Sequence, residues 1–212
     1  MLCNTLSKNL AFLLFILISF SAYSQSLEPL KFHHIQDGMS QSSATKLLED
    51  RYGFIWVGTR NGLNKYDGKD FEIFRKSTDN KTGLSHEYVV ELYEDGENLL
   101  IGTNEGLNLY DRSLNIVTPF PFINEGLHIK DRSFQSVARI NGELWLGTES
   151  AGLYKYNENT GKISHLALDN DKLEVVNPRI NQIHKIIPLD ANRVLIISSY
   201  NIIVTNKNCL LY

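Results

Sequence analysis

The stretch "FIWVGTRNGLNKYDG", residues 54–68, decides the fold. It packs an apolar run, a Gly-Thr step, an Asn-Gly turn and a second apolar run into fifteen positions. Asn61-Gly62 between two apolar runs is a hairpin signal, because a tight turn matched to strand twist needs positive φ, which glycine adopts without strain. The stretch then returns as "NLLIGTNEGLNLYD" at 98–111 and "ELWLGTESAGLYKY" at 143–156.

Aligned on the Gly-Thr step, Gly58, Gly102 and Gly147 fall 44 and 45 residues apart. Thr59, Thr103 and Thr148 follow them, and Gly62, Gly106 and Gly152 mark the turns. A weaker fourth copy, "RVLIISSYNIIVTNKN", places Ile197 where the glycine stood and Asn201 at the turn. A period of this length indicates a solenoid, an array or a propeller.

Within each unit the pattern is of strands. First strands lie in "SATKLLEDRYG", "EYVVELYEDGE", "FQSVARINGE" and "NQIHKIIPLDAN". Second strands, "FIWVG", "LLIG", "LWLG" and "VLII", are short and rich in branched and aromatic residues, as strands buried on both faces are. Third strands, "GLNKY", "GLNLY", "GLYKY" and "NIIVT", alternate with period 2. "FEIF", "NIVTPF", "KISHLA" and "CLLY" supply the fourth. One such sheet cannot bury both faces alone, so neighbours must stack, with Trp56 and Trp145 filling the space between them. Stacking about an axis predicts an all-β fold: a β-propeller of about four four-stranded antiparallel blades, forming an incomplete, open portion of a larger propeller.

Residues 1–24 read as a signal peptide, with one early lysine, an apolar run of about 11 residues and then small residues; a membrane-spanning helix needs about 20. The expected organisation is a signal at 1–24 and a partial propeller over 25–212. Its units lie at about 36–74, 75–120, 121–167 and 168–212, with "LKFHHI" at 30–35 as an unpaired closing strand. Of the two cysteines, Cys3 leaves with the signal, so Cys209 has no intrachain partner. A formal net charge of -3 argues against nucleic acid, which requires a basic face.

These residues resemble the two-component regulator propeller repeats, whose unit runs from a "D-G-(L/M)-S" turn through a strand ending in Asp to "G-(F/L)-(I/L)-W-(I/V/L)-G-T-x-x-G-L-x-x-(Y/F)-D". The chain supplies "DGMSQSSATKLLEDRYGFIWVGTRNGLNKYDGKDF" at 37–71. Unit two keeps "GLSHEYVVELYEDGENLLIGTNEGLNLYD" with Leu100 in place of Trp, and unit three keeps "LWLGTESAGLYKY" with one extra turn residue. The resemblance implies the amino-terminal part of a periplasmic sensor, whose parent carries more repeats, a membrane span and a histidine kinase and responds to glycan fragments. It implies a homodimer in that parent.

Function is expected on the face carrying the second-to-third-strand turns and the inter-blade connections, since long loops on a rigid scaffold carry recognition. Candidate ligand contacts are Arg60, Asn61, His86, Asn104, Glu105, Arg132, Glu149 and Arg179, able to bond sugar hydroxyls or an anionic group. No catalytic residue, metal site or cofactor is assigned. Adjacent strand residues His33 and His34 point to opposite faces, and "DNDKLE" at 169–174 lacks the glycine and distal glutamate of a calcium loop. Asp67 and Asp111 read as turn acceptors. The expected activity is non-catalytic sensing of an oligosaccharide in the periplasm. The alternatives are an envelope protein-interaction propeller and a polysaccharide-cleaving enzyme, which would need a non-repeated polar cluster near the channel. Uncovered end sheets predict poor behaviour as an isolated monomer.

Overall fold

The computed structural model describes residues 38–78, 81–122, 132–166, 182–190, 193–199 and 202–206. The segment 1–24, the strand expected at 30–35, the 169–174 stretch, Arg179, Asn201 and "CLLY" lie outside them.

Fifteen strands and no helix make up the described residues. The first sheet holds β1 (Ala44–Glu49), β2 (Ile55–Thr59), β3 (Gly62–Tyr66) and β4 (Phe71–Phe74). The second holds β5 (Val89–Asp95), β6 (Asn98–Thr103), β7 (Gly106–Asp111) and β8 (Ile116–Pro119). The third holds β9 (Phe134–Ile140), β10 (Glu143–Thr148), β11 (Leu153–Asn157) and β12 (Lys162–Leu166), and the fourth β13 (Ile183–Pro188), β14 (Arg193–Ser198) and β15 (Ile202–Asn206). Each sheet is an antiparallel meander in sequence order. Contacts of β1 with β5, β5 with β9 and β9 with β13 place the first strand of each sheet innermost. The four sheets are therefore stacked as four successive blades of a β-propeller.

The core lies between blades. Trp56, fully buried, packs with Val89, Leu92, Leu99, Ile101 and Tyr110 of blade two. Trp145 does the same toward blade four with Ile183, Ile186, Val194 and Ile196, and between them Leu100 joins Phe134, Val137, Leu144 and Leu146. Each such side chain is worth about 1.5–3 kcal/mol on burial. The Gly-Thr glycines mark where blades touch. A Cβ on Gly58 would lie 2.8 Å from Val89 Cγ1, on Gly102 2.2 Å from the Phe134 carbonyl oxygen, and on Gly147 2.5 Å from Ile183 Cγ2. Val89, Phe134 and Ile183 are the first residues of the next innermost strands, so the repeat needs glycine where that strand crosses.

The threonine after each glycine closes the turn. Thr59, Thr103 and Thr148 donate through Oγ1 to the carbonyls of Gly62, Gly106 and Gly152 at 2.8–2.9 Å. Gly62 has φ +116° as the sequence requires. Gly106 serves differently, because a Cβ there would meet Ser85 Oγ at 2.5 Å.

The third strands depart from simple alternation. Asn64 and Asn108 are fully buried rather than solvent-facing. Asn64 Oδ1 accepts from Ser40 N at 2.7 Å and its Nδ2 donates to the Val57 carbonyl at 3.0 Å; Asn108 repeats both bonds with Ser85 N and the Ile101 carbonyl. Each amide thus pins the segment that enters its blade, and burial is tolerated because the polar atoms are satisfied.

Candidate functional site

The antiparallel meander sends the β2–β3 turns to one end of the blades and the β1–β2 and β3–β4 turns to the other. Arg60 and Asn61, Asn104 and Glu105, and Glu149 occupy successive turns on the first of these faces, and His86 and Arg132 lie in the segments entering blades two and three. Most are engaged within the protein. Asn61 donates to the Ser40 carbonyl and accepts from Arg75 Nη1 at 2.7 Å. His86 Nδ1 accepts from Tyr88 N, Asn104 Oδ1 accepts from Ser133 Oγ, Glu105 pairs with Lys76 at 3.6 Å, and Arg60 stacks over Tyr88. Arg132 and Glu149 are exposed.

A cleft of about 570 Å3 opens on the opposite face, between blades one and two. Tyr52 and Phe54 come from the β1–β2 turn, Glu97 and Asn98 from the β5–β6 turn, and Asp111, Arg112 and Ser113 from the β7–β8 turn, with Lys65 and Tyr110 beneath. A smaller cleft of about 210 Å3 shares Phe54 and Lys65 and continues along blade one past Asp67, Asp70, Phe71 and Glu72.

Behind the lining of the larger cleft, Asp50 ties Tyr52, Phe54 and Arg112 together. This buried carboxylate accepts from Trp56 Nε1 at 2.7 Å, Arg112 Nη1 at 2.7 Å, Tyr52 N at 2.9 Å and Phe54 N at 3.1 Å. Burial pushes its pKa up, but the bonds from Trp56 and Arg112 and from the two backbone amides outweigh that and hold it below the ordinary carboxylate value. Arg112 also meets Glu94 at 3.2 Å, and its guanidinium lies 4.8 Å from the Tyr52 ring centroid. Its buried Nε is a donor with no partner among the described residues. Lys65 Nζ donates to Tyr110 Oη at 3.0 Å and to Asn115 Oδ1 at 3.3 Å and sits 4.6 Å from the Phe54 ring centroid. Tyr52, 54% exposed, bonds Glu97, whose carboxylate raises the phenol's pKa.

The cleft therefore offers aromatic faces beside fixed donors and acceptors, the usual make-up of a small-molecule site. Sequence reading missed it. The residues come from three turns in two blades, and the aromatic-plus-cation content of "DRYGF" and "LYDRS" was its faint local signal. The aspartates read as turn acceptors have that role: Asp67 Oδ1 takes Lys69 N and Asp70 N, Asp111 Oδ1 takes Ser113 N and Leu114 N, and Asn157 serves the third blade in the same way.

Residues 38–61 match the family model of the two component regulator propeller. Over 71 residues the chain is 42% identical to histidine kinase P4 of Formosa agariphila, a match covering 34% of this chain and 5% of that protein. The extracellular domain assigned to the hybrid two component system BT3049 from B. thetaiotaomicron superposes with TM-score 0.68 at 19% identity, covering 84% of this chain and 25% of that one. The corresponding domain of BT4673 from the same organism gives 0.61 at 26% identity, covering 80% and 22%. The chain thus spans about a quarter or less of the length of these relatives. Residues 38–61, in the first blade, thus carry the two component regulator propeller motif, and the chain folds as a propeller similar to those in the extracellular domains of hybrid two component systems.

Proposed function

We propose that the chain is a non-catalytic, exported ligand-sensing module, the amino-terminal part of a two-component sensor that detects carbohydrate fragments in the periplasm. In this reading residues 1–24 are the export signal, 25–212 are part of a larger propeller, and the parent is a homodimer carrying a histidine kinase. The similarity to extracellular sensor domains supports the placement. The exposure of Leu47 on blade one and of Ile202 and Val204 on blade four supports further covering structure in the parent.

The observation that carries the ligand class is the cleft between blades one and two. Its exposed aromatic ring and fixed polar groups suit a sugar, whose C–H faces stack on rings while its hydroxyls exchange hydrogen bonds with charged side chains. What supports this face over the turn face is the concavity itself, with the exposed Tyr52 ring in its lining.

Calorimetric titration of the full chain with neutral and acidic oligosaccharides is expected to show binding without product formation. Tyr52→Ala or Phe54→Ala should weaken binding about tenfold, a change of about 1.4 kcal/mol, while Glu149→Ala leaves it unchanged. Cleavage of any saccharide by the purified chain would overturn the non-catalytic reading. Loss of binding in Glu149→Ala with none in Tyr52→Ala would move the site to the turn face.

A further inference from the structure

One position in the repeat fails to repeat, and its side chains meet. The residue opposite the Gly-Thr glycine on the innermost strand is Lys46 in blade one, Glu91 in blade two and Ser136 in blade three, while Lys185 pairs with Ile197 in blade four. In every blade the ladder shifts register immediately beside this pair, as a β-bulge does. Bulges re-aim side chains and gather at rims and functional sites. The backbone device is thus copied four times, while the residue it aims changes from Lys to Glu to Ser to Lys.

Three of these four side chains converge. Lys46 Nζ donates to Glu91 Oε2 at 2.8 Å, and Lys185 Nζ donates to Glu91 Oε1 at 2.7 Å. The Glu91 side chain is 1% exposed, whereas those of Lys46 and Lys185 are 34% and 44% exposed. One carboxylate thus holds two ammonium groups, one on each oxygen, and among the described residues no second acid pairs with either lysine. The cluster carries one uncompensated positive charge. Each ammonium has three N–H donors and has given one to Glu91, so donors remain on the exposed side. A tie between blades alone would need a single lysine. The second adds self-repulsion that an incoming anion would relieve.

We propose that Lys46 and Lys185, held by Glu91 at the propeller axis, form a binding site for an oxyanion, the carboxylate or sulfate group of an acidic saccharide. This deepens the carbohydrate reading and rests on it for the sugar, though not for the anion. The Ser136 hydroxyl accepts from the Ile186 amide at 3.0 Å and is fully buried, so it ties blade three to blade four rather than facing the ligand.

The test titrates the full chain by calorimetry with three probes: inorganic sulfate, oligogalacturonate, and a neutral galacto-oligosaccharide of equal length. The acidic sugar should bind about tenfold more tightly than the neutral one, and Lys46→Met and Lys185→Met should each erase most of that preference. Either single variant leaves Glu91 one ammonium, so the fold persists, and a thermal melt confirms it. Lysine-dependent sulfate binding without binding of any saccharide would sustain the anion site and sink the carbohydrate reading. Equal affinity for acidic and neutral sugars, or sulfate binding indifferent to both substitutions, would overturn the anion site and leave the cleft untouched.

Discussion

Asp50→Ala is expected to destabilise the protein by about 3–5 kcal/mol, the usual cost of removing one partner of a buried ion pair. The carboxylate accepts four hydrogen bonds, and its loss leaves the Trp56 indole N–H and one side of the Arg112 guanidinium without an acceptor between two packed blades. At roughly 2–4 °C per kcal/mol for a domain of this size, the thermal midpoint should fall by about 10 °C. The matched comparison is Asp67→Ala, which removes an acceptor for two backbone amides in an exposed turn and should cost within about 1 kcal/mol. Equal midpoints for the two variants would show that the Trp56–Asp50–Arg112 group does not hold the blades together. The acid limb of the stability curve follows from the same group. The folded pKa of Asp50 is lowered, so the folded state binds fewer protons than the unfolded state between the two values. Its contribution is fully present above the unfolded carboxylate value near 3.9 and is lost as pH falls through the lower folded one. Stability should therefore drop steeply below about pH 4, and Asp50→Asn, less stable at neutral pH, should show a flatter decline there.

Gly102→Ala should be the most damaging of the substitutions at the Gly-Thr glycines. The new methyl would stand 2.2 Å from the carbonyl oxygen of Phe134, and a backbone atom of a packed innermost strand can yield only if blade three moves. Overpacking of this kind costs about 1–3 kcal/mol, and more where backbone must shift. Gly147→Ala meets the Ile183 side chain instead, at 2.5 Å; a rotamer change relieves part of that clash, so its cost should be smaller. Gly142→Ala has nothing within 4 Å and carries only the strain of φ +81°, about 1 kcal/mol. Urea unfolding of the three variants should rank them in that order. A Gly102→Ala midpoint close to that of Gly142→Ala would mean that blades two and three are not in the contact described.

Much of this architecture was legible in the residues. The spacing of Gly58, Gly102 and Gly147 gave the blades, the branched and aromatic second strands gave the buried interior, and Trp56 and Trp145 lie where stacking sheets demanded them. Each of these signals is local and repeated. The burial of Asn64 and Asn108 was not legible, because period-2 alternation in the third strands says nothing of how a polar residue within them is satisfied. The correlated cue was the serine 24 or 23 residues upstream, Ser40 or Ser85, which each amide clasps; unit three has Tyr154, not an amide, in that place. The cleft and the axial triad were illegible for another reason. Tyr52, Glu97 and Arg112 meet only after two blades have stacked, and Lys46, Glu91 and Lys185 only after four. A search for recurrence discards such residues, because their positions recur while their identities do not.

The isoleucine at 197 changes the spacing rule at one end of the molecule. Alternation along β14 puts Val194 and Ile196 against blade three and Ile197 on the opposite side. Three joints are gauged to bare backbone, whereas this one carries a branched hydrocarbon spacer. Whatever leans on that flank must stand off by about the thickness of a side chain and gains fewer close contacts there. Under load or in mild denaturant, that seam is where the assembly should part first.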